Sequence, residues 1–133
     1  MTQEEKQLLL KDLCARLPYG VKVKYYSMEY PYGSEPVTLT PHLLNDRWEN
    51  IQDVKPYLRP MSSMTEEEKG EVSKLGVCYD GAFHNDIYDV GIGMEEAFAA
   101  ISWLLERHFD INYLIHKGLA LEAPEDMYNN LKK

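Results

Sequence analysis

The chain has 133 residues, 44% of them hydrophobic and 27% charged, and its 22 acidic and 14 basic side chains give a net charge of −8. This composition excludes a disordered, repetitive or fibrous chain and predicts one globular domain over residues 1–133. The whole acidic excess falls in residues 61–133, which makes nucleic acid an unlikely partner because a polyanion would be repelled.

The cysteines and the apolar segments give no sign of export. Cys14 and Cys78 lie far apart and outside any metal-ligand spacing, so we expect reduced thiols that are at least half-buried. The N-terminal segment is charged and polar before its leucines begin, unlike a signal peptide. The longest apolar stretch, Ala97 to Leu105, is about half the length of a membrane-spanning helix. We therefore expect a cytoplasmic protein with no membrane partner.

The first predicted element is an amphipathic helix over residues 3–17. Thr2 and Glu5 fit a capping box at its start, and Pro18 and Gly20 mark its end. Leucines recur through it at helical spacing. The predicted apolar stripe consists of Leu9, Leu10, Leu13 and Leu17.

A β-hairpin is predicted after this helix. Apolar residues and tyrosine alternate with lysines from Val21 to Tyr25, which is the period of a half-buried strand. The turn-rich residues 30–36 lead into a second alternating segment. We therefore predict paired strands at about 21–29 and 36–40.

The middle of the chain gives weaker signals. Prolines interrupt residues 41–60, which predicts irregular chain with a short helical turn. A second capping box precedes a short helix predicted over about 66–75. Two strands, 77–79 and 87–92, are predicted on either side of a loop.

Two helices are predicted near the C-terminus. One begins near Met94 and carries an apolar stripe down to His108, as expected of a core helix. Asp110 caps the second helix, which ends at Gly118, and the tail then folds back on the domain. The stripe of the first helix comprises Met94, Ala97, Phe98, Ile101, Leu104 and Leu105. The predicted class is α+β, with a small, mostly antiparallel sheet packed against one N-terminal and two C-terminal helices.

The motifs that could carry chemistry have simpler structural explanations. A strand, two glycines and a helix start at residues 89–96 resemble a phosphate-binding turn, but two glutamates occupy its first helical turn. The ligand-type side chains of Asp80, His84, Asp86 and Asp89 lack the spacing of calcium or zinc motifs. No serine or cysteine lies in a nucleophile motif. We predict no cofactor, no metal and no catalytic residue.

Two segments are candidate binding surfaces. Tyrosines interleave with lysines along the hairpin, a combination that can stack on a base, contact a phosphate or anchor a protein interface, although strands are rich in tyrosine in any case. The segment 55–65 is stiffened by prolines and carries arginine, tyrosine and hydroxyl groups suited to an anion or a partner; alternatively it is a structural strap that caps the next helix. The candidate ligand- or partner-binding residues are Lys22, Lys24, Tyr25, Tyr26, Tyr57, Arg59, Ser62 and Ser63.

Three stretches carry a family resemblance: E-E-K-x-L-L-L-K-D-L-C-A-R-L-P-Y-G-V-K-V, V-K-P-Y-L-R-P-M-S-S-M-T-E-E-E and H-F-D-I-N-Y-L-I-H-K-G-L-A-L-E-A-P-E-D-M-Y. Together they resemble a family of small uncharacterised proteins of gut Bacteroidetes and of their phages and prophages. The resemblance implies an accessory protein of a mobile element that works inside a bacterial host cell, and it implies no activity or site residues.

We therefore predict a non-enzymatic binder that modulates or inhibits a host factor, counter-defence being one such role. The alternative is sequestration of a small, anionic, nucleotide-like ligand by the hairpin and Arg59, and a hydrolase-type enzyme comes third. The predicted partner is a host protein or a small anionic ligand, and a homo-oligomer is compatible with the sequence.

Overall fold

The computed structural model describes residues 1–74, 77–79, 83–85 and 94–128. The predicted α+β class is confirmed, with short 3₁₀ turns linking several of the regular elements. In chain order these are α1 (Gln3–Arg16), β1 (Lys22–Tyr25), β2 (Val37–Thr38), α2 (Pro41–Asp46), β3 (Val54–Leu58), α3 (Glu66–Ser73), β4 (Val77–Tyr79), β5 (Phe83–Asn85), α4 (Met94–Glu106) and β6 (Leu121–Glu122).

Helix α1 begins and ends as its sequence predicts. The Thr2 hydroxyl accepts a hydrogen bond from the Glu5 amide, and the Glu5 carboxylate accepts one from the Thr2 amide, so two otherwise unpaired donors are satisfied. Gly20 adopts a φ of 69°, a left-handed conformation that glycine tolerates well. Leu9 and Leu13 are fully buried, whereas Leu10 and Leu17 at the border of the stripe are half-buried.

The main sheet has four strands in the order β2-β1-β3-β6. Strand β1 is antiparallel to both β2 and β3, which confirms the predicted hairpin with shorter strands. Strand β3 is parallel to β6, so the sheet is mixed, but both other strand pairs are antiparallel, which confirms the predicted mostly antiparallel sheet. The parallel pair forms because the chain returns to β3 through α3 and α4 before β6, a crossover that short sequence windows do not reveal.

Strand β3 lies in the middle of this sheet, where irregular chain is predicted. The prediction is wrong because it treats Pro56 as a strand breaker. The amide of Tyr26 donates to the carbonyl of Asp53, so hydrogen-bonded pairs between β1 and β3 alternate from that point. Pro56 faces Val23 in a non-hydrogen-bonded pair, and its missing N–H costs the β1–β3 ladder nothing.

The next hydrogen-bonded position of this ladder is completed by a side chain from the tail. The amide of Lys22 donates to the Tyr128 hydroxyl at 2.9 Å, and that hydroxyl donates to the carbonyl of Tyr57 at 2.8 Å. Burial raises the pKa of Tyr128 to about 12, which keeps its hydroxyl protonated. The tail therefore folds back as predicted and holds two strands together.

Beyond the end of β1, residues 108–110 form hydrogen bonds along the same edge of β3 that pairs with β1. The amide of Arg59 donates to the carbonyl of His108, and the amide of Asp110 donates to the carbonyl of Arg59. Phe109 is thereby paired with Arg59 in a parallel bridge. This short contact connects the end of α4 to the central strand.

Two apolar clusters form the core. The larger lies between α1 and the sheet and includes Leu9, Leu13, Val23 and Leu58. The smaller joins α3, α4 and Phe109, and its fully or nearly fully buried members are Met64, Val72, Ala100, Leu104 and Phe109.

The predicted orientation of α4 is partly wrong. Phe98 is 74% exposed and Ile101 is 49% exposed, whereas Ala100 and Leu104 are buried. The apolar stripe covers more of the surface of α4 than is in contact with the core. The side of α4 that carries the small Ala100 side chain packs against α3 and Phe109. Leu105, the last member of the stripe, is buried as predicted.

The predicted second C-terminal helix is absent, since residues 111–118 form turns. The Asp110 carboxylate accepts hydrogen bonds from the amides of Leu114 and Ile115, so it caps the segment as predicted. Tyr113, however, has a φ of 57°, a left-handed conformation that cannot continue a right-handed helix. Gly118, with a φ of 76°, ends the segment.

The remaining local predictions concern α3, the two strands predicted after it and Cys14. Helix α3 confirms the helix at 66–75, with a capping box between Thr65 and Glu68. Strand β4 confirms the strand at 77–79, but β5 occupies residues predicted to be loop, and the strand at 87–92 lies outside the described residues. Cys14 is exposed, not half-buried, because it lies on the side of α1 that faces away from the sheet.

We expect Tyr128→Phe to lower the free energy of unfolding by about 2 kcal/mol, because the amide of Lys22 and the carbonyl of Tyr57 would both lose their buried partner. Urea denaturation measures the change. Tyr32→Phe, which removes a hydroxyl from an exposed ring, is the control, and equal effects of the two substitutions would contradict the bridging role of Tyr128.

Candidate functional site

The first candidate site is a group of lysines on one side of the sheet, which we call the lysine face: Lys22, Lys24 and Lys55, with Tyr26 and Tyr57. Side chains alternate along a strand, and directly opposed residues share a face. Lys24 lies directly opposite Lys55. Continuing the same register places Lys22 opposite Tyr57, so all three lysines project from the face opposite to Val23 and Leu58.

These lysines have no acidic partner in the described part of the chain. The Lys22 ammonium donates to the hydroxyl of Thr38 at 2.6 Å, and the Lys24 ammonium lies 6.0 Å from the ring centre of Tyr26. Both partners are uncharged, so the positive charges persist. Asp53, which directly precedes β3, forms no ion pair with any of the three lysines among the described residues. The result is a positive patch on a chain whose net charge is −8.

Tyr25 does not belong to this face. It alternates with Lys24 and packs against the core cluster under the sheet. Its ring meets Tyr30 edge to face with centroids 5.6 Å apart, and the Arg47 guanidinium lies 5.3 Å from the Tyr25 ring centre. These contacts give Tyr25 a packing role.

The second candidate site is a cleft of about 400 Å³ between residues 59–65, which follow β3, and residues 122–128 of the tail. Small-molecule sites in proteins begin at about this size. Its lining consists of Arg59, Pro60, Ser63, Thr65, Glu122, Ala123, Pro124, Glu125 and Tyr128.

Arg59 lines the cleft, but its guanidinium is already paired with Glu68. It donates two hydrogen bonds to the Glu68 carboxylate at 2.7 and 2.8 Å and lies 4.1 Å from the ring centre of Phe109. The side chains of Arg59 and Glu68 are only 12% and 10% exposed. Burial alone would raise the pKa of Glu68, but hydrogen bonds from Arg59 and Thr65 outweigh it, and the pKa is lowered. The pair is therefore ionised and structural.

The remaining candidates from the middle segment are divided. The Ser63 hydroxyl donates to the carbonyl of Pro60 at 2.7 Å and lines the cleft, as part of the structural strap. Ser62 is exposed and lies outside that lining. Tyr57 belongs to the lysine face, and its carbonyl holds Tyr128. The eight candidate residues are thus divided between the lysine face, the cleft and the core, and Ser62 belongs to none of these.

Sequence reasoning missed Lys55 and the acidic residues of the cleft. The signal for Lys55 was available, since a strand of alternating burial over residues 54–58 would have placed it beside the hairpin lysines. Glu122 and Glu125 had no such signal, because their position beside Ser63 depends on the return of the tail to β3.

A buried polar group beneath the sheet was also missed. Asp12 and Arg16, one turn apart on α1, form an ion pair whose side chains are fully buried. The Arg16 guanidinium also donates to the carbonyl of Phe109 at 2.6 Å, and Asn112 donates to Asp12 at 2.9 Å. The interpretation of α1 as a purely apolar stripe hides this pair, which ties the helix to residues 109–112.

His108 lies beside this ion pair and is 1% exposed. Its ring stacks on that of Tyr128 with centroids 4.0 Å apart, and its Nδ1 has no hydrogen-bond partner among the described residues. Burial, aided by the charges of Arg16 and Arg59, lowers the pKa of His108 to about 4, so the ring is neutral at pH 7. A cation is favoured at the C-terminal end of a helix, but burial keeps His108 neutral at the end of α4.

Among the described residues, no three or more His, Cys, Asp or Glu side chains are placed to hold a metal ion, and no helix is long and apolar enough to cross a membrane. Of the four ligand-type side chains weighed in the sequence, Asp80, Asp86 and Asp89 lie outside the described residues, and His84 is described only as part of β5.

Comparison of the chain with models of known families, with curated proteins and with solved structures finds no match. The resemblance to proteins of gut Bacteroidetes and their phages therefore stays a prediction.

Lys55→Glu should raise the free energy of unfolding by up to about 1 kcal/mol, because it replaces like charges with opposite charges across the β1–β3 ladder. Lys11→Glu makes the same change in net charge at an exposed position of α1 and is the matched control. Urea denaturation at low and high salt measures both, and the gain of Lys55→Glu should shrink as salt screens the charges. An unchanged or lowered stability at low salt would contradict repulsion between Lys24 and Lys55.

The neutral state of His108 predicts acid sensitivity. Since its pKa is about 4 in the folded chain and 6.5 in the unfolded one, the unfolded chain binds the proton first. Its contribution is fully present above pH 6.5 and is lost as the pH falls towards 4, by about 3 kcal/mol in all.

Urea denaturation between pH 7.5 and 4.5 tests this contribution. His108→Asn removes the titrating group and suits the φ of 65° at this position, so the slope with pH should be shallower than in the original chain. His42→Gln, at an exposed histidine, should keep the original slope. Equal slopes in all three proteins would contradict the assignment to His108.

Proposed function

We propose that this chain is a non-enzymatic binding protein whose lysine face receives an acidic surface of a protein in the bacterial host cell. The observation that carries the proposal is the direct pairing of Lys24 with Lys55 across β1 and β3. Opposed like charges destabilise a sheet, so a sheet that served only to cover α1 would be more stable with a neutral or acidic side chain at one position. An acidic partner turns that repulsion into attraction.

The negative charge of the whole chain does not prevent this contact. At physiological ionic strength, charges are screened beyond about 8 Å, so an acidic group docked on the sheet interacts mainly with the nearest side chains. Those are Lys22, Lys24 and Lys55, which have no acidic partner among the described residues. The local positive charge therefore decides the sign of the interaction.

The shape of the face favours a protein over a small molecule. Sites for small molecules are concave. The cleft beside Arg59 includes none of the three lysines of the lysine face. A second, mostly apolar groove also includes none of them, and it is lined by Gln7, Leu10, Lys11, Cys14 and Trp48. Tyr26 and Tyr57 flank the lysines, and tyrosine is a frequent anchor of protein interfaces because its ring is apolar and its hydroxyl polar. The nucleotide-like ligand is less well supported because Arg59, which it requires, is held by Glu68.

The cellular role follows from the resemblance to proteins of gut Bacteroidetes and their phages. A small accessory protein that covers an acidic surface would modulate or inhibit the host factor that carries it. Host defence factors are among the targets that this role includes.

The test uses a fluorescein-labelled deca-glutamate peptide as the acidic probe and fluorescence anisotropy as the readout. The original chain should bind it, and the affinity should fall as sodium chloride rises from 0.1 to 0.5 M. Lys24→Glu/Lys55→Glu should weaken binding at least tenfold, which corresponds to about 1.4 kcal/mol. Lys11→Glu/Lys117→Glu, the control with the same net charge, should bind like the original chain.

Equal weakening in both double variants would reduce the effect to net charge and overturn the proposal. Absence of peptide binding together with binding of inorganic triphosphate would overturn it in favour of the nucleotide-like ligand. The same two variants then serve as bait in host lysate, where the proposed partner is a protein with an acidic surface that the original chain and the control retain and the lysine-face variant loses.

A further inference from the structure

The cleft beside Arg59 offers a second, independent site. The side chains that line it differ from the lysine face in both charge and hydrogen-bonding capacity. Among the described residues of the lining, Arg59 is the only basic one, and its charge is balanced by Glu68. Glu122 and Glu125 are exposed and form no ion pair with any residue of the described chain. The cleft therefore carries two uncompensated negative charges.

The side-chain donors among the described lining residues carry no net charge towards the cleft. The Ser63 hydroxyl donates to the carbonyl of Pro60, and the Tyr128 hydroxyl donates to the carbonyl of Tyr57. Arg59 directs two of its five N–H groups to Glu68, whose carboxylate balances its charge. An anion would therefore meet the carboxylates of Glu122 and Glu125 without a net positive charge to offset them.

The uncompensated charges among the described lining residues belong to hydrogen-bond acceptors. Each carboxylate of Glu122 and Glu125 has two oxygens that can accept several hydrogen bonds, and the Ser63 oxygen keeps lone pairs. Ammonium and guanidinium groups are donors only, with three and five N–H groups, and their bonds to carboxylates are among the strongest in proteins. The lining is thus complementary to a cation rich in donors.

Apolar groups complete the lining. Pro60, Ala123, Pro124 and Tyr128 border the same cleft. Such surfaces suit the methylene chain of a lysine, an arginine or an alkyl diamine while its charged end reaches the carboxylates. A volume of about 400 Å³ accommodates a chain of this size.

We propose that this cleft binds an aliphatic ammonium or guanidinium group through Glu122 and Glu125. Neither carboxylate is needed for the fold, because both are exposed and neither makes a side-chain bond within the described residues. The site is separate from the lysine face and does not rest on the proposed function.

The test is a titration followed by ¹⁵N NMR, with 1,5-diaminopentane as the first probe. We expect the amide signals of Ala123, Glu125 and Ser63 to shift with saturation. Glu122→Gln/Glu125→Gln should weaken binding at least tenfold while the fold is retained, since the substitution keeps side-chain size and removes only charge. Glu106→Gln/Asp126→Asn, which removes the same charge from exposed positions outside the cleft lining, should bind like the original chain.

Further probes distinguish the sources of the cation. Acetyl-lysine-amide and acetyl-arginine-amide represent the side chain of a partner protein, whereas the diamine represents a free metabolite, and the tighter class identifies the source. Lys24→Glu/Lys55→Glu should leave amine binding unchanged, so failure of the lysine face and failure of the cleft are separable. Equal weakening in both carboxylate variants, absence of shifts at the cleft, or stronger binding of inorganic phosphate would each overturn the assignment.

Discussion

Arg59, through its ion pair with Glu68 and its backbone hydrogen bonds, links the segment after β3 to α3 and to the end of α4. The backbone of Arg59 is hydrogen-bonded to His108 and Asp110. Its guanidinium lies over the ring of Phe109 and donates two hydrogen bonds to Glu68 in the first turn of α3. One residue thus joins the central strand, the end of α4 and the cap of α3. Removing either partner would leave a nearly buried charge unpaired, which commonly costs 3–5 kcal/mol.

This commitment also determines the electrostatics of both candidate sites. An arginine beside tyrosine and serine is attractive as an anion site in the sequence, but its pairing with Glu68 cancels its charge. The cleft is left with the carboxylates of Glu122 and Glu125, and the unpaired positive charge of the sheet is left to the lysines. The protein therefore presents two candidate sites of opposite charge, the lysine face and the cleft beside Arg59.

Buried polar groups underlie the predicted sensitivity of the fold to acid. Asp12 and Arg16 lie fully buried beside a neutral His108, whose ring stacks on the same tyrosine that completes the β1–β3 ladder. Protonation of His108 would place a third positive charge near Arg16 and Arg59. Loss of the stacking between His108 and Tyr128 would weaken the hydrogen bonds by which Tyr128 links β1 to β3, the two strands that carry the lysine face.

The sequence by itself determined the elements whose cause is local: the capping boxes of α1 and α3, the alternation of β1, the hairpin turn and the Asp110 cap. Only the tertiary structure decided that β3 is the central strand despite Pro56, that Phe98 and Ile101 face outward, and that Glu122 and Glu125 meet Ser63. Caps and turns depend on neighbours within a few residues. Register and partner choice depend on segments far apart along the chain, and no short window of sequence contains both members of the pair.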